Sequence, residues 1–170
     1  NRLYVNRGKQ FLQGYRFEER GENMGVDRPV HSFATWFWDY NNDGLRDIFL
    51  ARSKGGTENP PAYFAKVDRG IEPARSRPII YRNIGNNKFE QIEFPTNQPV
   101  SYIMGGNFGD LNLDGFPDLY LGTGSAAMDA LVPNKMYVYS NGNFFRDVTH
   151  TGSFGHLLKG HGIGFGDFNN

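Results

Sequence analysis

The stretch that decides the fold is DLNLDGFPDLYLG, from Asp110 to Gly122. Its oxygen-bearing side chains occupy positions 1, 3, 5 and 9, with a glycine at position 6: Asp110, Asn112, Asp114, Asp118 and Gly115. Calcium takes six to eight oxygens at about 2.3–2.6 Å, and a loop of this spacing supplies them, with the carbonyl of position 7 added. Position 7 is Phe116, and position 12 is Leu121 where an EF-hand has glutamate. The stretch predicts a calcium loop inside a β-hairpin; a plain Asp-Gly hairpin with solvated acids is the alternative.

The same pattern recurs twice elsewhere in the chain. DYNNDGLRDIFLA is a complete second copy, with Asp39, Asn41, Asp43, the carbonyl of Leu45, and Asp47 as ligands. GFGDFNN opens a third copy and contributes Asp167 and Asn169. Repetition favours calcium binding over solvated hairpins, because chance does not reproduce the same spacing in separate loops.

The loops alternate with aromatic hairpins, which gives the chain an internal repeat. The predicted hairpins are RLYVNRGKQF (Arg2–Phe11), IYRNIGNNKF (Ile80–Phe89) and MYVYSNGNFF (Met136–Phe145). The loop openings at Asp110 and Asp167 are 57 residues apart, whereas those at Asp39 and Asp110 are 71 apart, which places an insertion at 53–78. A repeat of this length carrying four strands is typical of a propeller blade.

We therefore predict an all-β fold: a partial β-propeller of four-stranded blades, with two full blades and parts of two others. All of 1–170 would belong to one propeller domain. Its parts would be half a blade at 1–13, a blade at 31–93 with the insertion, a blade at 101–149, and the first strand of the next blade at 160–170. Glycines such as Gly105 and Gly106 suit an innermost strand, where converging blades leave no room for side chains. Trp36 and Trp38 break that pattern, so either their strand sits differently or their rings line the channel.

Composition excludes several classes of protein. Lys and Arg total 18 and Asp and Glu total 18, without a basic run, so no nucleic-acid partner is expected. No apolar stretch is long enough to predict a membrane span. The chain has no cysteine, which removes disulfides and thiolate sites. It starts without a signal-like segment and stops inside the third loop, so we expect it to be a piece of a larger protein.

The motifs FGDLNLDGFPDLYL and FGDFNN resemble the FG-GAP/VCBS repeats of integrin-type β-propellers. The stretch from Tyr120 to Asn170 is similar to bacterial ASPIC/UnbV and cartilage-acidic-protein-like repeat proteins. The resemblance implies a seven-bladed, calcium-binding propeller that is secreted or at the cell surface, with a periplasmic location also possible. It implies an adhesion or recognition module, and it does not imply a reaction. The tryptophan-rich strand before Asp39 departs from the family pattern.

Two functions remain open at this point. The favoured one is a non-catalytic calcium-binding module that recognises a protein or glycan, or self-assembles at a surface through blades supplied from elsewhere. The other is a propeller enzyme acting on polysaccharide, although the sequence has no evident catalytic residues. The insertion 53–78 carries bases, prolines and the aromatic pair Tyr63 and Phe64, so it is the best candidate for partner contact. His156 and His161 could form a zinc pair, but a loop packed between blades explains them more simply.

Overall fold

A computed structural model describes residues 1–10, 14–28, 31–52, 62, 65–66, 69, 71, 77–96, 100, 102–124, 132–140 and 144–168. These residues form ten strands and the short helix α1 (Gly21–Met24), and residues 62, 65 and 66 are also helical. The strands are β1 Tyr4–Gln10, β2 Gly14–Glu19, β3 Ser32–Trp38, β4 Asp47–Arg52, β5 Ile79–Asn83, β6 Phe89–Glu93, β7 Ile103–Gly109, β8 Asp118–Thr123, β9 Lys135–Ser140 and β10 Phe144–Asp147. The fold of the described residues is thus all-β, as predicted.

The strands make three antiparallel sheets, each in chain order. β1 and β2 form a ribbon, β3 to β6 form the 32–93 sheet, and β7 to β10 form the 103–147 sheet. Both predicted aromatic hairpins in the larger sheets are confirmed, because β5 pairs with β6 and β9 pairs with β10. Each larger sheet is a four-stranded meander, the form of a propeller blade.

The inner strands of both larger sheets are buried on both faces. In β4 (DIFLAR) every residue before the last is buried, and β9 (KMYVYS) shows the same pattern. Strands with a layer on each side carry continuous apolar runs instead of alternating polar residues. The outer strand β6 (FEQIE) is largely exposed, so burial falls from the inner strands to the outer edge.

The core lies between the two larger sheets and is mostly aromatic. Trp38 is fully buried, stacks on Phe145 of the other sheet at 5.7 Å between ring centroids, and meets Phe49 edge-on at 6.0 Å. Trp36 stacks on Phe49 at 4.2 Å. The indoles therefore fill the space between sheets. β3 pairs with β4 as β7 pairs with β8, and a role of these rings in lining a channel stays a prediction.

Glycine lets β7 approach its neighbours closely. A Cβ atom on Gly106 would overlap the ring of Trp36, and one on Gly105 would overlap the backbone of His161. The close packing expected at the glycine-rich strand is present on both of its faces.

The segment after β10 crosses the free face of β7. His161 lies against Gly105, Phe165 lies against Gly109, and Asn107 Nδ2 donates a hydrogen bond of 3.1 Å to the carbonyl of Ile163. The contacted residues are 105, 107 and 109 in β7 and 161, 163 and 165 in the segment. Both series increase together, so the segment runs in the same direction as β7. Over 160–168, the described part of the strand predicted at 160–170, the segment packs on the face of β7 and pairs in no ladder. Asn169 and Asn170 lie outside the described residues.

The predicted hairpin over Arg2–Phe11 is wrong. β1 continues through the expected turn and pairs instead with β2, for example Tyr4 with Glu19. Gly8 has a φ of 86°, and its N–H donates to Asn6 Oδ1 at 2.8 Å, at an irregularity between Asn6 and Lys9. The Asn and Gly that suggested a turn thus make a β-bulge, since a tight hairpin turn and a G1-type bulge both use a glycine at positive φ. The two-stranded ribbon therefore extends to Glu19, with 11–13 outside the described residues, and its place in a half blade stays a prediction.

Within the described part of the chain, no helix has the length and apolar character needed to cross a membrane.

Candidate metal-binding loops

Each complete motif connects the first two strands of one four-stranded sheet. The first loop (residues 39–47) joins β3 to β4, and the second loop (residues 110–118) joins β7 to β8. Pairing of Trp38 with Asp47 and of Gly109 with Asp118 closes the two loops at their bases. Both loops therefore lie at the same end of adjacent sheets.

In the first loop, the acid at position 1 holds the turn together. One oxygen of Asp39 accepts a hydrogen bond of 3.0 Å from the N–H of Asp43, and the other accepts one of 2.9 Å from the N–H of Gly44. Asn41 Nδ2 donates to Asp43 Oδ2 at 3.0 Å. Positions 1, 3 and 5 are thereby gathered around one turn, as the sequence pattern requires.

The second loop repeats these bonds at the equivalent residues. Asp110 accepts from the N–H groups of Asp114 and Gly115 at 3.1 and 2.8 Å, and Asn112 Nδ2 donates to Asp114 Oδ2 at 2.9 Å. Gly44 and Gly115 both have a left-handed backbone, with φ of 83° and 88°. The glycine at position 6 is therefore needed for its conformation in both loops.

Position 7 is held beside the acid of position 5. The N–H of Leu45 donates to Asp43 Oδ1 at 2.8 Å, and that of Phe116 donates to Asp114 Oδ1 at 2.9 Å. The carbonyls of Leu45 and Phe116 are the predicted backbone ligands, so the structure brings their residues next to the carboxylates.

The acid at position 9 has a different environment from the others. Asp47 and Asp118 are fully buried. Asp47 accepts hydrogen bonds from the N–H groups of Tyr40 and Asn83 at 3.3 and 2.8 Å, and Asp118 accepts them from Leu111 and Tyr139 at 2.8 and 3.0 Å. Each therefore ties its own loop to the third strand of its sheet.

Burial and like charge both act on these buried acids. Burial raises the pKa of Asp47 to about 6, although its two backbone hydrogen bonds oppose the shift, and the charges of Asp43 and Asp39 raise it further. Burial also raises the pKa of Asp118, with Asp114 and Asp110 as the neighbouring charges. In each loop, three carboxylates are thus close enough to repel one another.

The donor set fits calcium in chemistry. Each oxygen of Asp39, Asp43 and Asp47 accepts an N–H, and a carboxylate oxygen has room for a second partner. All the donors are hard oxygens, the type that Ca²⁺ prefers. Among the described residues, however, no three His, Cys, Asp or Glu side chains form a ready-made metal cluster. An ion would have to draw together the acids of positions 1, 5 and 9, the amide of position 3 and the carbonyl of position 7.

The remaining predicted ligands are less defined. Asp167 is exposed, and Asn169 lies outside the described residues, so the third site is not assembled in the part of the chain that the structure describes.

His156 and His161 are both exposed, and the carbonyl of His156 accepts a backbone hydrogen bond from Asn134 at 3.0 Å. Most of the insertion 53–78, including Tyr63 and Phe64, lies outside the described residues.

One contact joins the two loops, and sequence reasoning missed it. Asn42, at position 4 of the first loop, donates through Nδ2 to the carbonyl of Gly115 at 2.6 Å. Beside it, a cleft of about 480 Å³ lies between the loops, with Asp39, Arg46, Asp110 and Phe116 among its lining residues. The left-handed φ of 55° at Asn42 was foreseeable for an asparagine in a turn. The hydrogen bond from Asn42 to Gly115 was not foreseeable, because it depends on how the two sheets are placed.

Comparison with known families adds one finding. Residues 39–121 match the FG-GAP-like repeat. The FG-GAP-like stretch runs from the opening of the first loop, through β4 to β7 and the second loop, to Leu121 in β8. It therefore holds both complete candidate sites. No curated protein matches the chain.

Proposed function

We propose that this chain is part of a non-catalytic, calcium-stabilised β-propeller that acts outside the cell in adhesion, recognition or surface assembly. The FG-GAP-like match supports the repeat family, and the finer likeness of Tyr120–Asn170 to ASPIC/UnbV and cartilage-acidic-protein-like proteins is part of the proposal. The two meander sheets would be complete blades, and the β1–β2 ribbon would be the outer half of a preceding one.

The observation that carries the proposal is the matching geometry of the two loops. Equivalent residues make equivalent bonds in both, including the turn bonds of Asp39 and Asp110 and the strand bonds of Asp47 and Asp118. The repulsion among each loop's carboxylates is a cost that a bound divalent cation would remove. Calcium would thus stabilise the folded state without taking part in chemistry.

The location follows from the expected affinity. Loops on extracellular modules bind calcium with dissociation constants of about 10⁻⁴–10⁻³ M, and ions at that affinity fill their sites only where calcium is about millimolar. Secretion or display at the cell surface, with the periplasm as a further possibility, supplies that condition. The partner would be a protein or a glycan, recognised by loops that the rigid sheets position.

Calorimetric titration with calcium and thermal melting with and without chelator test this proposal. We expect two sites, a higher Tm with calcium, and loss of one site each in Asp43→Ala and Asp114→Ala. Glu22→Gln, an exposed acid outside the loops, is the matched control and should keep both sites. A Tm that chelator leaves unchanged, with no heat of binding, would overturn the calcium assignment. Turnover of a polysaccharide in a glycan screen would overturn the non-catalytic assignment.

A further inference from the structure

We infer that Asn42 is a positioning residue for the neighbouring loop and makes the two loops bind calcium cooperatively. This rests on the proposed function and concerns how its two sites are regulated. The feature that carries it is the hydrogen bond of 2.6 Å from Asn42 Nδ2 to the carbonyl of Gly115.

On the donor side, Asn42 stands between two predicted ligands of the first loop. Asn41 and Asp43 flank it, and both are fixed by bonds within that turn. Binding an ion at these two residues restricts the backbone at Asn42, which is already left-handed. The Asn42 side chain then loses less conformational entropy when it forms its hydrogen bond to the second loop.

On the acceptor side, the bond reaches the peptide group that leads into position 7. Gly115 supplies the carbonyl of that peptide, and Phe116 supplies its N–H, which donates to Asp114 Oδ1 at 2.9 Å. The peptide is thus held from both sides, by Asn42 and by a predicted ligand. Fixing it also fixes the approach to the carbonyl of Phe116, the predicted backbone ligand of the second loop.

Cooperativity follows because ordering is shared. When the first loop is filled, part of the conformational entropy that the second loop must lose has already been lost. Coupling between sites is reciprocal, so filling the second loop must help the first by the same factor. We expect a factor of about five, at the lower end of couplings between sites, because the connection is one hydrogen bond between exposed residues.

The equivalent position in the second loop supplies a matched control. Leu113 has the same left-handed conformation, with φ of 58°, but is 86% exposed. Asn42→Leu therefore places the second loop's own residue in the first loop, and Asn42→Gly keeps the left-handed preference while removing the amide. Leu113→Ala alters position 4 of the second loop without touching the bond between loops.

The experiment measures calcium affinity of each loop with its neighbour intact or disabled. Asp43→Ala disables the first loop and Asp114→Ala the second, and calorimetric titration gives the constants. With Asn42 present, disabling one loop should weaken the other about fivefold. In Asn42→Leu and Asn42→Gly that factor should fall to one, while the affinity of each loop beside a disabled neighbour stays at its parent value. Leu113→Ala should keep the coupling.

The titrations distinguish failure of the inferred cooperativity from failure of the proposed function. If both loops bind calcium but each affinity is independent of the other loop, the inference is overturned and the proposed function stands. If the coupling survives both Asn42 variants, the inference is also overturned, because something other than this bond carries it. If neither loop binds calcium, the proposed function fails together with the inference.

Discussion

Oδ1 of Asp118 accepts a hydrogen bond of 3.0 Å from the backbone N–H of Tyr139, a residue of the third strand in its sheet. Asp47 makes the equivalent bond to Asn83 in the neighbouring sheet. The acid that closes the predicted calcium motif therefore also fastens the hairpin of its loop to the third strand of the sheet. This dual use separates the role of position 9 from that of positions 1, 3 and 5.

Replacing Asp118 by alanine should destabilise the sheet even without calcium. The buried N–H group of Tyr139 would lose its acceptor, at a cost of about 1–3 kcal/mol. Urea unfolding in the presence of chelator measures the loss. Asp114→Ala is the control, because Asp114 is exposed and its removal should have little effect without the ion. Equal unfolding midpoints for wild type and Asp118→Ala would contradict the expectation.

The buried pair Lys135–Asp147 should be far more sensitive to substitution than a surface pair. Lys135 Nζ lies 2.8 Å from Asp147 Oδ2, with side-chain exposures of 3% and 9%. Asp147→Asn leaves a buried ammonium without its counter-charge, a change that typically costs about 3–5 kcal/mol. The double variant Asp147→Asn/Lys135→Met should recover much of the lost free energy of unfolding, measured by urea denaturation. Glu18→Gln, at an exposed pair with Arg7, should leave the midpoint nearly unchanged.

The same pair predicts acid sensitivity. Burial alone would raise the pKa of Asp147, but hydrogen bonds from Lys135 and Thr149 lower it below its ordinary value. A carboxyl group whose pKa falls on folding stabilises the protein above its unfolded pKa, about 3.9, and loses that contribution as pH falls through the folded pKa. The unfolding free energies of wild type and Asp147→Asn should therefore differ by a constant amount above about pH 5 and converge below about pH 4. A difference that stays constant down to pH 2.5 would refute this.

Two glycines of similar sequence context should respond differently to alanine. A Cβ atom at Gly122 would overlap the backbone of Gly160, whereas nothing lies within 4 Å of one at Gly162. Gly122→Ala should displace the segment 158–165 from the sheet and expose it to limited proteolysis. The Gly162→Ala variant should be cleaved at the wild-type rate. Matching proteolysis patterns for the two variants would show that this packing is not required.

Removing the insertion should spare the fold. Arg52 ends β4, Ile79 begins β5, and Leu50 pairs directly with Ile79, so a short turn can join these strands. We expect a chain with 53–78 replaced by such a turn to melt normally and bind calcium, but to lose its partner in a binding screen. A Gly/Ser segment of the original length is the control for loop length and should lose the partner equally. Unfolding of the shortened chain would show that the insertion is structural.

The sequence predicted what depends on local spacing. The loop positions, the glycine at position 6 and both aromatic hairpins of the larger sheets follow from residues within a few positions of one another. It mispredicted β1 because Asn6 and Gly8 suit a bulge as well as a turn, and only pairing with β2 distinguishes the two. The Asn42–Gly115 bond and the burial of Asp47 required the placement of whole strands, which no local pattern encodes.

The burial of β4 and β9 on both faces has a consequence for how this protein can change in evolution. In a sheet with one wet face, every second residue of a strand accepts polar substitutions, so tolerance alternates along the chain. Here β4 and β9 should accept almost none, since each side chain faces a packed layer. Sequence drift should concentrate instead in outer strands such as β6, whose residues are mostly exposed. A deep mutational scan would then show uniformly low tolerance along β4 and β9, without the two-residue period of an ordinary sheet, and higher tolerance in β6.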